Sequence, residues 1–292
     1  MTTYGPETTS DEVLEGVDLT GKVVVVTGAS SGLGLEAARA MAAHGAEVVM
    51  AVRDPIGAAA AAETVGPNGH LVELDLASLG QVRTAAAAIT ERWPRIDVVV
   101  NNAGVMSTPP GRTAEGFDLQ LGVNHLGHFL LTALLAPALG PSARIVNTTS
   151  LGHMVSGMRW DDPHFRVSDY EKWQAYGQSK TANILFTLGL AQRGYTAYAV
   201  HPGMIMTELY RHLSTEELAG MHSRSSGYEP GLKTVPQGSA TLVWAATADG
   251  IPSGSYLADC QIGEAAAHAT DPADAERLWR WSEEQVGQTF GS

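Results

Sequence analysis

Cysteine is almost absent from this chain of 292 residues, since Cys260 is the only one. A single thiol cannot form an internal disulfide, which excludes a disulfide-stabilised scaffold and fits a reducing compartment. A lone cysteine of this kind is most simply a small buried apolar residue. We therefore expect Cys260 to serve in packing.

Positive charge is also scarce. The chain has 18 Lys and Arg against 31 Asp and Glu, so its formal net charge is −13 at pH 7. A field of this sign repels nucleic-acid phosphates and anionic lipid headgroups. We therefore expect neither a nucleic-acid partner nor docking to a membrane through basic residues.

Long apolar runs are missing as well. We find no stretch close to the roughly 20 apolar residues that cross a bilayer, and residues 1–10 have neither the basic start nor the apolar run of a signal peptide. With 44% hydrophobic residues, the chain can bury a full core. We expect a cytoplasmic protein with no membrane span, in which a short mobile extension, residues 1–18, precedes one domain, residues 19–292.

Short apolar runs alternate with longer helical patterns along the chain. Residues 22–27 are nearly continuous in β-branched residues, which is typical of a strand buried on both faces. Further strands are predicted at 47–51, 70–76, 96–101, 143–148, 195–200 and 255–258, and helices at 31–44, 79–92, 116–139, 173–193, 237–246 and 273–286. The alternation predicts an α/β fold: a single-domain Rossmann fold whose doubly wound, mostly parallel sheet has about seven strands, with helices on both faces.

A glycine-rich turn follows the first strand, with the sequence Thr27-Gly28-Ala29-Ser30-Ser31-Gly32-Leu33-Gly34. Such a turn places backbone N–H groups and a helix N-terminus against a pyrophosphate. Gly28 permits the tight turn, Gly32 lets the backbone approach the ligand, and Gly34 allows close packing of helix on strand. The spacing differs from the commoner Gly-x-Gly-x-x-Gly, but the strand before it and the helix after it supply the context that a dinucleotide site requires.

The residues that close the second strand indicate which dinucleotide is bound. A carboxylate there binds the adenosine 2′-hydroxyl, whereas this chain has Val52 followed by Arg53. An Arg can pair with a 2′-phosphate and stack on adenine, so we predict that NADP(H) is preferred. Asp54 is able to fold back onto Arg53, which leaves NAD(H) possible.

Two further strand ends are expected to contact the cofactor. Asp75, followed by Leu76, ends the third predicted strand and can accept a hydrogen bond from the adenine amino group, or alternatively can cap a helix. The sequence Asn101-Asn102-Ala103-Gly104 ends the fourth. Its Asn side chains can tie neighbouring strands together, and its small residues leave room for the adenosine ribose.

Tyr176 and Lys180 stand four residues apart and therefore share one face of a predicted helix. A free phenol, with a pKa of about 10, is a poor base near pH 7, and a neighbouring ammonium favours its ionised form. With Asn124 and Ser150 upstream, this set predicts hydride transfer to or from an alcohol or a carbonyl. Thr149 is an alternative to Ser150 as the hydroxyl of the set.

These motifs occur in the order found in the short-chain dehydrogenase/reductase family, which the chain resembles over about residues 19–261. The motifs that carry the resemblance are the glycine-rich turn, Asn101-Asn102-Ala103-Gly104, Asn124, Ser150, Tyr176-x-x-x-Lys180 and His201-Pro202-Gly203. Residues 121–132, 150–153 and 176–187 most resemble the retinol-dehydrogenase and WW-domain-oxidoreductase branch. We expect the chain to depart from that branch in lacking its N-terminal anchor and its WW domain, and Met206 stands where Arg is frequent. The glycine-rich turn also resembles light-dependent protochlorophyllide reductase, whose cysteines are missing here.

The resemblance implies reversible hydride transfer between the nicotinamide and a substrate carbinol carbon. Tyr176 would exchange the proton, Lys180 would lower the pKa of that phenol and bind the nicotinamide ribose, and Ser150 would hold the substrate oxygen. Asn124 would orient a water bound to Lys180. Residues 202–207 would cover the nicotinamide through Pro202, Gly203, Ile205 and Thr207.

Two irregular segments, 151–169 and 207–236, follow carboxyl ends of predicted strands, where ligands of such sheets bind. Their apolar residues suggest a small lipophilic substrate, hydroxysteroid-like or retinoid-like, with a natural-product ketone as the alternative. His153 and Met154 are expected to contact it. His125 and His128 lack a third ligand at suitable spacing, so we predict no metal site.

A function of another class is a catalytically silent regulator that senses NADP(H). Such proteins typically lose the Tyr or the Lys, whereas this chain has all four predicted catalytic residues. The helices that contain Asn124 and Tyr176 are apolar on more than one face, which predicts pairing across a two-fold axis as a homodimer or homotetramer.

Overall fold

The computed structural model describes residues 4–206, 208–210, 213 and 232–291. Within these residues, eight strands form one sheet in the order β3-β2-β1-β4-β5-β6-β7-β8. From β1 to β8 their bounds are Val23–Thr27, Glu47–Val52, Gly69–Glu73, Ile96–Asn101, Leu139–Thr148, Thr196–His201, Tyr256–Ala258 and Gln261–Ile262. Strands β1 to β7 pair in parallel, as predicted, and β8 runs antiparallel to β7.

Helices cover both faces of this sheet. From α1 to α8 their bounds are Ser10–Leu14, Gly32–Ala43, Ala59–Val65, Leu79–Arg92, Leu119–Ala138, Lys172–Gln192, Val235–Thr247 and Pro272–Val286. Strand β1 shows why its run of valines is continuous. Val24 and Val26 pack in the core cluster that includes α2 and α7, whereas Val25 packs in the opposite cluster with α4 and α5. Because alternate side chains point to opposite faces, a strand buried on both faces needs an apolar residue at every position.

The N-terminal residues belong to the same core. Thr9 and Glu12 form a reciprocal capping box at the start of α1. Val13 and Leu14 are buried in the cluster that also holds β1. The prediction of a mobile extension is therefore wrong for the described residues 4–18, because an amphipathic helix buries its apolar side against the domain.

Helix α5 is the most apolar helix of the described chain. A stretch of 18 of its 20 residues has a mean hydropathy of 1.2, so the helix is long and apolar enough to cross a membrane by length and composition, and 78% of that stretch is buried inside the protein. The prediction that no apolar stretch approaches this length is therefore wrong. The burial explains the composition, because α5 packs between the sheet and the helices around it.

The apolar sides of α5 and α6 are covered by the C-terminal part of the same chain. Phe129 of α5 and Phe186 of α6 contact Trp279 of α8 and the following Phe290, with ring centroids 5.3 to 6.4 Å apart. Leu278 of α8 is buried with residues of both helices. This packing accounts for the apolar faces from which the sequence predicted a dimer contact.

Candidate active site

A cleft of about 1740 Å³ lies at the carboxyl ends of the parallel strands. Ordinary ligand pockets have volumes of about 300–1,000 Å³, so this cleft has room for a dinucleotide together with a second molecule. The sequence-predicted residues that line it are Gly28, Ser30, Ser31, Gly32, Leu33, Arg53, Asp75, Leu76, Asn102, Ala103, Gly104, Ser150, Tyr176, Lys180, Pro202, Gly203 and Ile205. Thr207 and most of the segment 207–236 lie outside the described residues.

The glycine-rich turn is packed too closely for larger residues. Gly28 has φ +67°, and a Cβ there would lie 2.9 Å from Ala103 Cα. A Cβ on Gly34 would lie 2.4 Å from the carbonyl oxygen of Gly28 and 2.5 Å from Asn102 Nδ2. Gly34 does not line the cleft; it lets the first turn of α2 approach β1, which is the role that the sequence predicted for it.

The N-terminus of α2 opens into the cleft. Its N-cap residue, Ser31, makes no side-chain capping bond, and Gly32 has φ +55°. The first N–H groups of a helix have no partner within the helix, and together with the helix dipole they favour an anion. A cradle of glycines beside uncapped N–H groups fits the pyrophosphate of a dinucleotide.

The strand ends beside this turn are tied together by side chains. Asn102 Nδ2 donates to the carbonyl of Thr27 at 3.0 Å, and Asn101 Nδ2 donates to Asn147 Oδ1 at 2.8 Å, which joins β4 to β5. Asp75 lines the cleft and also accepts the N–H of Ala77 at 2.9 Å. The capping alternative for Asp75 therefore describes one of its contacts and leaves its place on the cleft unchanged.

Arg53 is exposed on the cleft wall at the end of β2. Asp54 Oδ1 accepts the N–H of Gly57 at 3.0 Å, which directs this carboxylate into its own turn. The arrangement leaves the guanidinium of Arg53 beside the cleft, where an anionic group of a ligand can approach it.

Tyr176, Lys180 and Ser150 meet at the opposite end of the cleft. Tyr176 and Lys180 lie on buried turns of α6, with Lys180 Nζ 5.6 Å from the centre of the Tyr176 ring. Lys180 Nζ donates to the carbonyl of Thr148 at 3.1 Å. Ser150, just beyond β5, forms a side-chain hydrogen bond with Tyr176. The structure therefore brings these three residues together as the sequence predicted.

Burial dominates the protonation of both titratable groups. It raises the pKa of Tyr176 well above its ordinary value, and the hydrogen bond with Ser150 only partly opposes this change. Burial also lowers the pKa of Lys180 to about 8. The expectation that Lys180 keeps the pKa of this phenol low is not met in this structure. The free energy needed to remove a phenolate from water is larger than the stabilisation that the nearby groups give to it.

Asn124 lies beneath the cleft, in a π-helical turn of α5, Gly122–Leu126. Asn124 Oδ1 accepts the N–H of Val105 at 2.9 Å, and Asn124 Nδ2 donates to the Val105 carbonyl and to Ser179 Oγ, each at 2.9 Å. A Cβ on Gly104 would lie 3.2 Å from Asn124 Oδ1 and 3.7 Å from Lys180 Nζ. Asn124 thus holds the chain after β4 close to Lys180.

His153 and Met154 are not brought into the cleft, contrary to the sequence prediction. His153 is buried, its Nδ1 lies 2.7 Å from the carbonyl oxygen of Ser150, and its Nε2 accepts the N–H of Ala266 at 3.1 Å. These two bonds hold the ring behind the cleft wall. Met154 is 64% exposed and is not part of the cleft lining.

The other two histidines considered as ligands are engaged in buried hydrogen bonds. His125 Nε2 lies 2.8 Å from Ser282 Oγ, and His128 lies between Thr27 and Asn124. The part of the chain that the structure describes has no group of three His, Cys, Asp or Glu residues arranged to hold a metal ion.

One wall of the cleft was missed by the sequence reasoning. It is mostly apolar and comes from the chain after β4, from α5 and from the start of α6: Val105, Met106, Thr108, Pro109, Pro110, Gly111, Leu119, Val123 and Trp173. Leu209 and Tyr210, which belong to the predicted substrate segment 207–236, complete it. The available signal was the irregular Pro109-Pro110-Gly111 stretch after a strand, at the end of the sheet where ligands bind.

The chain is similar to known proteins over most of its length. The sequence profile of the short chain dehydrogenase family matches residues 22–218. Retinol dehydrogenase 12 of Homo sapiens is 40% identical over 284 residues, which are 93% of this chain and 88% of that protein. The crystal structure of an uncharacterised protein from Mycobacterium Paratuberculosis has a TM-score of 0.78 and 35% identity, covering 94% of this chain and 97% of that one. A short chain dehydrogenase from Burkholderia cenocepacia J2315, solved in complex with NADP, has a TM-score of 0.67 and 27% identity, covering 82% of this chain and 96% of that one.

Proposed function

The chain belongs to the short-chain dehydrogenase family, and from this premise we propose that it is an NADP(H)-dependent oxidoreductase that interconverts a lipophilic alcohol and its carbonyl form, a secondary alcohol with its ketone or a primary alcohol with its aldehyde. The single observation that carries the proposal is the meeting of Ser150, Tyr176 and Lys180 at one end of a cleft whose other end is built for a dinucleotide. When bound, the cofactor supplies or accepts the hydride.

Each of the three side chains has a separate role in transferring the proton and binding the substrate oxygen. In reduction, Tyr176, neutral because burial raises the pKa of its phenol, gives its proton to the substrate oxygen and is left as a phenolate; in oxidation, the phenolate form takes the proton of the substrate hydroxyl and becomes the neutral phenol. Ser150 is bonded to that phenol and lies where it can hold the same oxygen, so that charge developing there is stabilised. Lys180, whose pKa is lowered to about 8 by burial, holds a positive charge beside Tyr176 below that pH and would bind the nicotinamide ribose.

Asn124 acts through its neighbours in this proposal. Its amide group is engaged with Val105 and Ser179, so it positions the chain that separates it from Lys180. A water held between this asparagine and Lys180 would complete a route for the proton.

The preference for NADP(H) is supported by the free approach to Arg53. A guanidinium at the end of β2 can form charge-assisted hydrogen bonds with a 2′-phosphate, and Asp54 is directed into its own turn. One structural neighbour was solved in complex with NADP. The use of NAD(H) stays possible, because a guanidinium also stacks on adenine.

The lipophilic class of substrate is supported by the apolar wall beside Tyr176. Met106, Pro109, Pro110, Val123 and Trp173 belong to that wall. A retinoid-like or hydroxysteroid-like alcohol is the first candidate, in keeping with the retinol dehydrogenase among the relatives. A natural-product ketone is the second.

We further propose a cytoplasmic location and a homodimer or homotetramer. The apolar sides of α5 and α6 are covered by α8, so they no longer argue for a contact between subunits. The assembly is therefore proposed from family likeness. Sedimentation velocity at micromolar protein would test it, and a purely monomeric profile would contradict it.

Absorbance at 340 nm tests the activity, using the wild type with NADP(H) or NAD(H) and a panel of steroid, retinoid and aliphatic alcohols and carbonyls. Tyr176→Phe should lower turnover about 10²- to 10⁴-fold, because the phenol's proton is lost while the ring is kept. Tyr195→Phe is the matched control, since Tyr195 precedes β6 at the far end of the sheet. Unchanged turnover in Tyr176→Phe would contradict the assignment, and tight NADP(H) binding without turnover on any substrate would favour the sensing regulator.

A further inference from the structure

Residues 202–205 form the cleft wall beyond β6, and the side chain of Lys233 supports them from behind. Gly203 has φ +92°, and a Cβ there would lie 2.8 Å from Lys233 Cδ and 3.0 Å from Lys233 Cε. The N–H of Lys233 donates to the carbonyl of Met204 at 2.9 Å. The lysine stem thus fills the space that a side chain at position 203 would occupy.

The charged end of Lys233 is held by Asp259, in the turn after β7. Lys233 Nζ donates to Asp259 Oδ1, and the two side chains are only 6% and 24% exposed. A buried ammonium without a partner is very unfavourable, so this carboxylate decides where the lysine stem lies. Neither residue lines the cleft, so both act on it through residues 202–205.

The turn that presents Asp259 is strained. Asp259 and Cys260 are the two residues between antiparallel strands β7 and β8, and their φ angles are +53° and +54°. Two central residues with positive φ match a type I′ hairpin turn, which favours Asn or Asp followed by Gly, whereas this chain has Cys in the second place. The N–H of Cys260 donates to Thr241 Oγ1 of α7 at 3.1 Å, which helps to hold the turn. Backbone strain of this kind collects at places where geometry matters for function.

A second contact ties the same wall to the glycine-rich turn. A Cβ on Gly238 of α7 would lie 2.5 Å from Ile205 Cγ1 and 2.9 Å from Leu33 Cδ2. Ile205 and Leu33 therefore meet over Gly238, and residues 202–205 are seated on α7 at one end and on Lys233 at the other.

We infer that Lys233 and Asp259 are a positioning pair that sets the affinity for the nicotinamide half of the cofactor by holding residues 202–205 in place. The inference rests on the proposed function, because it takes the cleft to bind a nicotinamide dinucleotide. The pair lies beside β7, away from Arg53 and Asp75 at the ends of β2 and β3, against which the adenosine half would lie. The affinity for a ligand with only that half should therefore not depend on Lys233 and Asp259.

The test compares two probes on the full chain. Dissociation constants for NADPH and for 2′,5′-ADP, which has the adenosine half alone, are measured by titration calorimetry for the wild type, Lys233→Met, Asp259→Asn and the double variant. Each single variant should weaken NADPH about tenfold and change 2′,5′-ADP less than about twofold. The double variant should bind NADPH no more weakly than the single variant with the lower affinity, because both substitutions remove the same contact.

Controls separate this role from general damage. Lys22 and Asp97 form another Lys–Asp pair, at the opposite end of the sheet, and Lys22→Met should leave both affinities within about twofold of the wild type. Lys233→Arg keeps the positive charge, and it takes the place of Lys233→Met in the comparison if Lys233→Met fails to fold. Equal losses for both probes, or an unchanged NADPH affinity in Asp259→Asn, would overturn the inference.

The proposed function fails separately from the inference. A wild type that binds NADH in place of NADPH would contradict the cofactor assignment alone, and the comparison then runs with NADH and 5′-AMP. A wild type that binds neither dinucleotide would remove the proposed function.

Discussion

Thr27 and His128 are joined by a buried hydrogen bond of 2.8 Å between Thr27 Oγ1 and His128 Nε2. His128 Nδ1 lies 3.0 Å from the carbonyl oxygen of Asn124, which can only accept, so the imidazole proton is on Nδ1 and Thr27 donates to Nε2. Thr27 Oγ1 also accepts the N–H groups of Asn102 and Ala103, each at 2.9 Å. One hydroxyl therefore links the end of β1, the chain after β4 and the π-helical turn that contains Asn124.

Replacing Thr27 by Val should destabilise the protein. The change keeps the shape of the side chain but leaves the N–H of Ala103 and Nε2 of His128 without a partner, whereas the N–H of Asn102 keeps its bond to the carbonyl of Val100 at 3.0 Å. We expect the free energy of unfolding to fall by about 2–3 kcal/mol, measured by urea denaturation. Thr27→Ser keeps the hydroxyl and should lose less than about 1 kcal/mol. A Val variant as stable as the Ser variant would show that the hydroxyl is not needed.

Replacing Gly34 by Ala should open the glycine-rich turn. The added methyl group would lie 2.4 Å from the carbonyl oxygen of Gly28, so α2 must move away from β1. We expect a loss of about 1–3 kcal/mol in stability and a weaker affinity for NADPH, both measured on the purified variant.

Gly80→Ala is the matched control for that change. Gly80 lies in the first turn of α4, and the nearest atom to an added Cβ is Ser78 Oγ at 3.7 Å. Alanine there should raise the free energy of unfolding by up to about 1 kcal/mol, because it reduces the entropy of the unfolded chain. If Gly80→Ala lowered the free energy of unfolding and Gly34→Ala left it unchanged, the packing argument would be contradicted.

The burial of Lys180 should make stability depend on pH in the alkaline range. Its pKa is lowered from 10.5 to about 8, so between these values the unfolded chain binds more protons than the folded one. The free energy of unfolding should therefore rise with pH in this window, by at most about 1.4 kcal/mol per pH unit. Below pH 8 Lys180 is charged in both states, so it should make no contribution to the pH dependence of stability there.

Lys180→Met provides the reference for that measurement. Burial raises the pKa of Cys260 to about 11 and acts in the opposite direction, so the useful quantity is the difference between wild type and variant at each pH. That difference should change between pH 8 and 10.5 and stay flat from pH 6 to 7.5. A difference independent of pH throughout would mean that Lys180 keeps its ordinary pKa.

Arg53→Gln should change the cofactor preference. Loss of a charge-assisted hydrogen bond to the 2′-phosphate should weaken NADPH binding by about 10- to 100-fold and leave NADH within about threefold. Arg95→Gln removes an exposed guanidinium at the opposite end of the sheet and should affect neither cofactor. Equal weakening of NADPH and NADH in Arg53→Gln would favour stacking on adenine as the role of Arg53.

The local patterns of the sequence predicted most of the sheet. Helix α4 and strand β4 have the predicted bounds, and most other elements differ by a few residues. Strand β8 and helices α1 and α3 were not predicted, because a strand of two residues and helices of five and seven residues have too few positions to show a period. The dimer contact was predicted from apolar helix faces that the chain itself covers, since a sequence does not state which part of the chain lies on a given face.

The sequence by itself determined the residues that a dinucleotide and a proton transfer require. The glycine-rich turn and the four-residue spacing of Tyr176 and Lys180 are local features, set by the backbone of one turn or one helix. Only the tertiary structure decided what surrounds them. It turned His153 behind the cleft wall, raised the pKa of Tyr176 by burial, and brought Asp259 to Lys233 across 26 residues. These relationships depend on contacts between distant segments, which close packing selects and local periodicity does not encode.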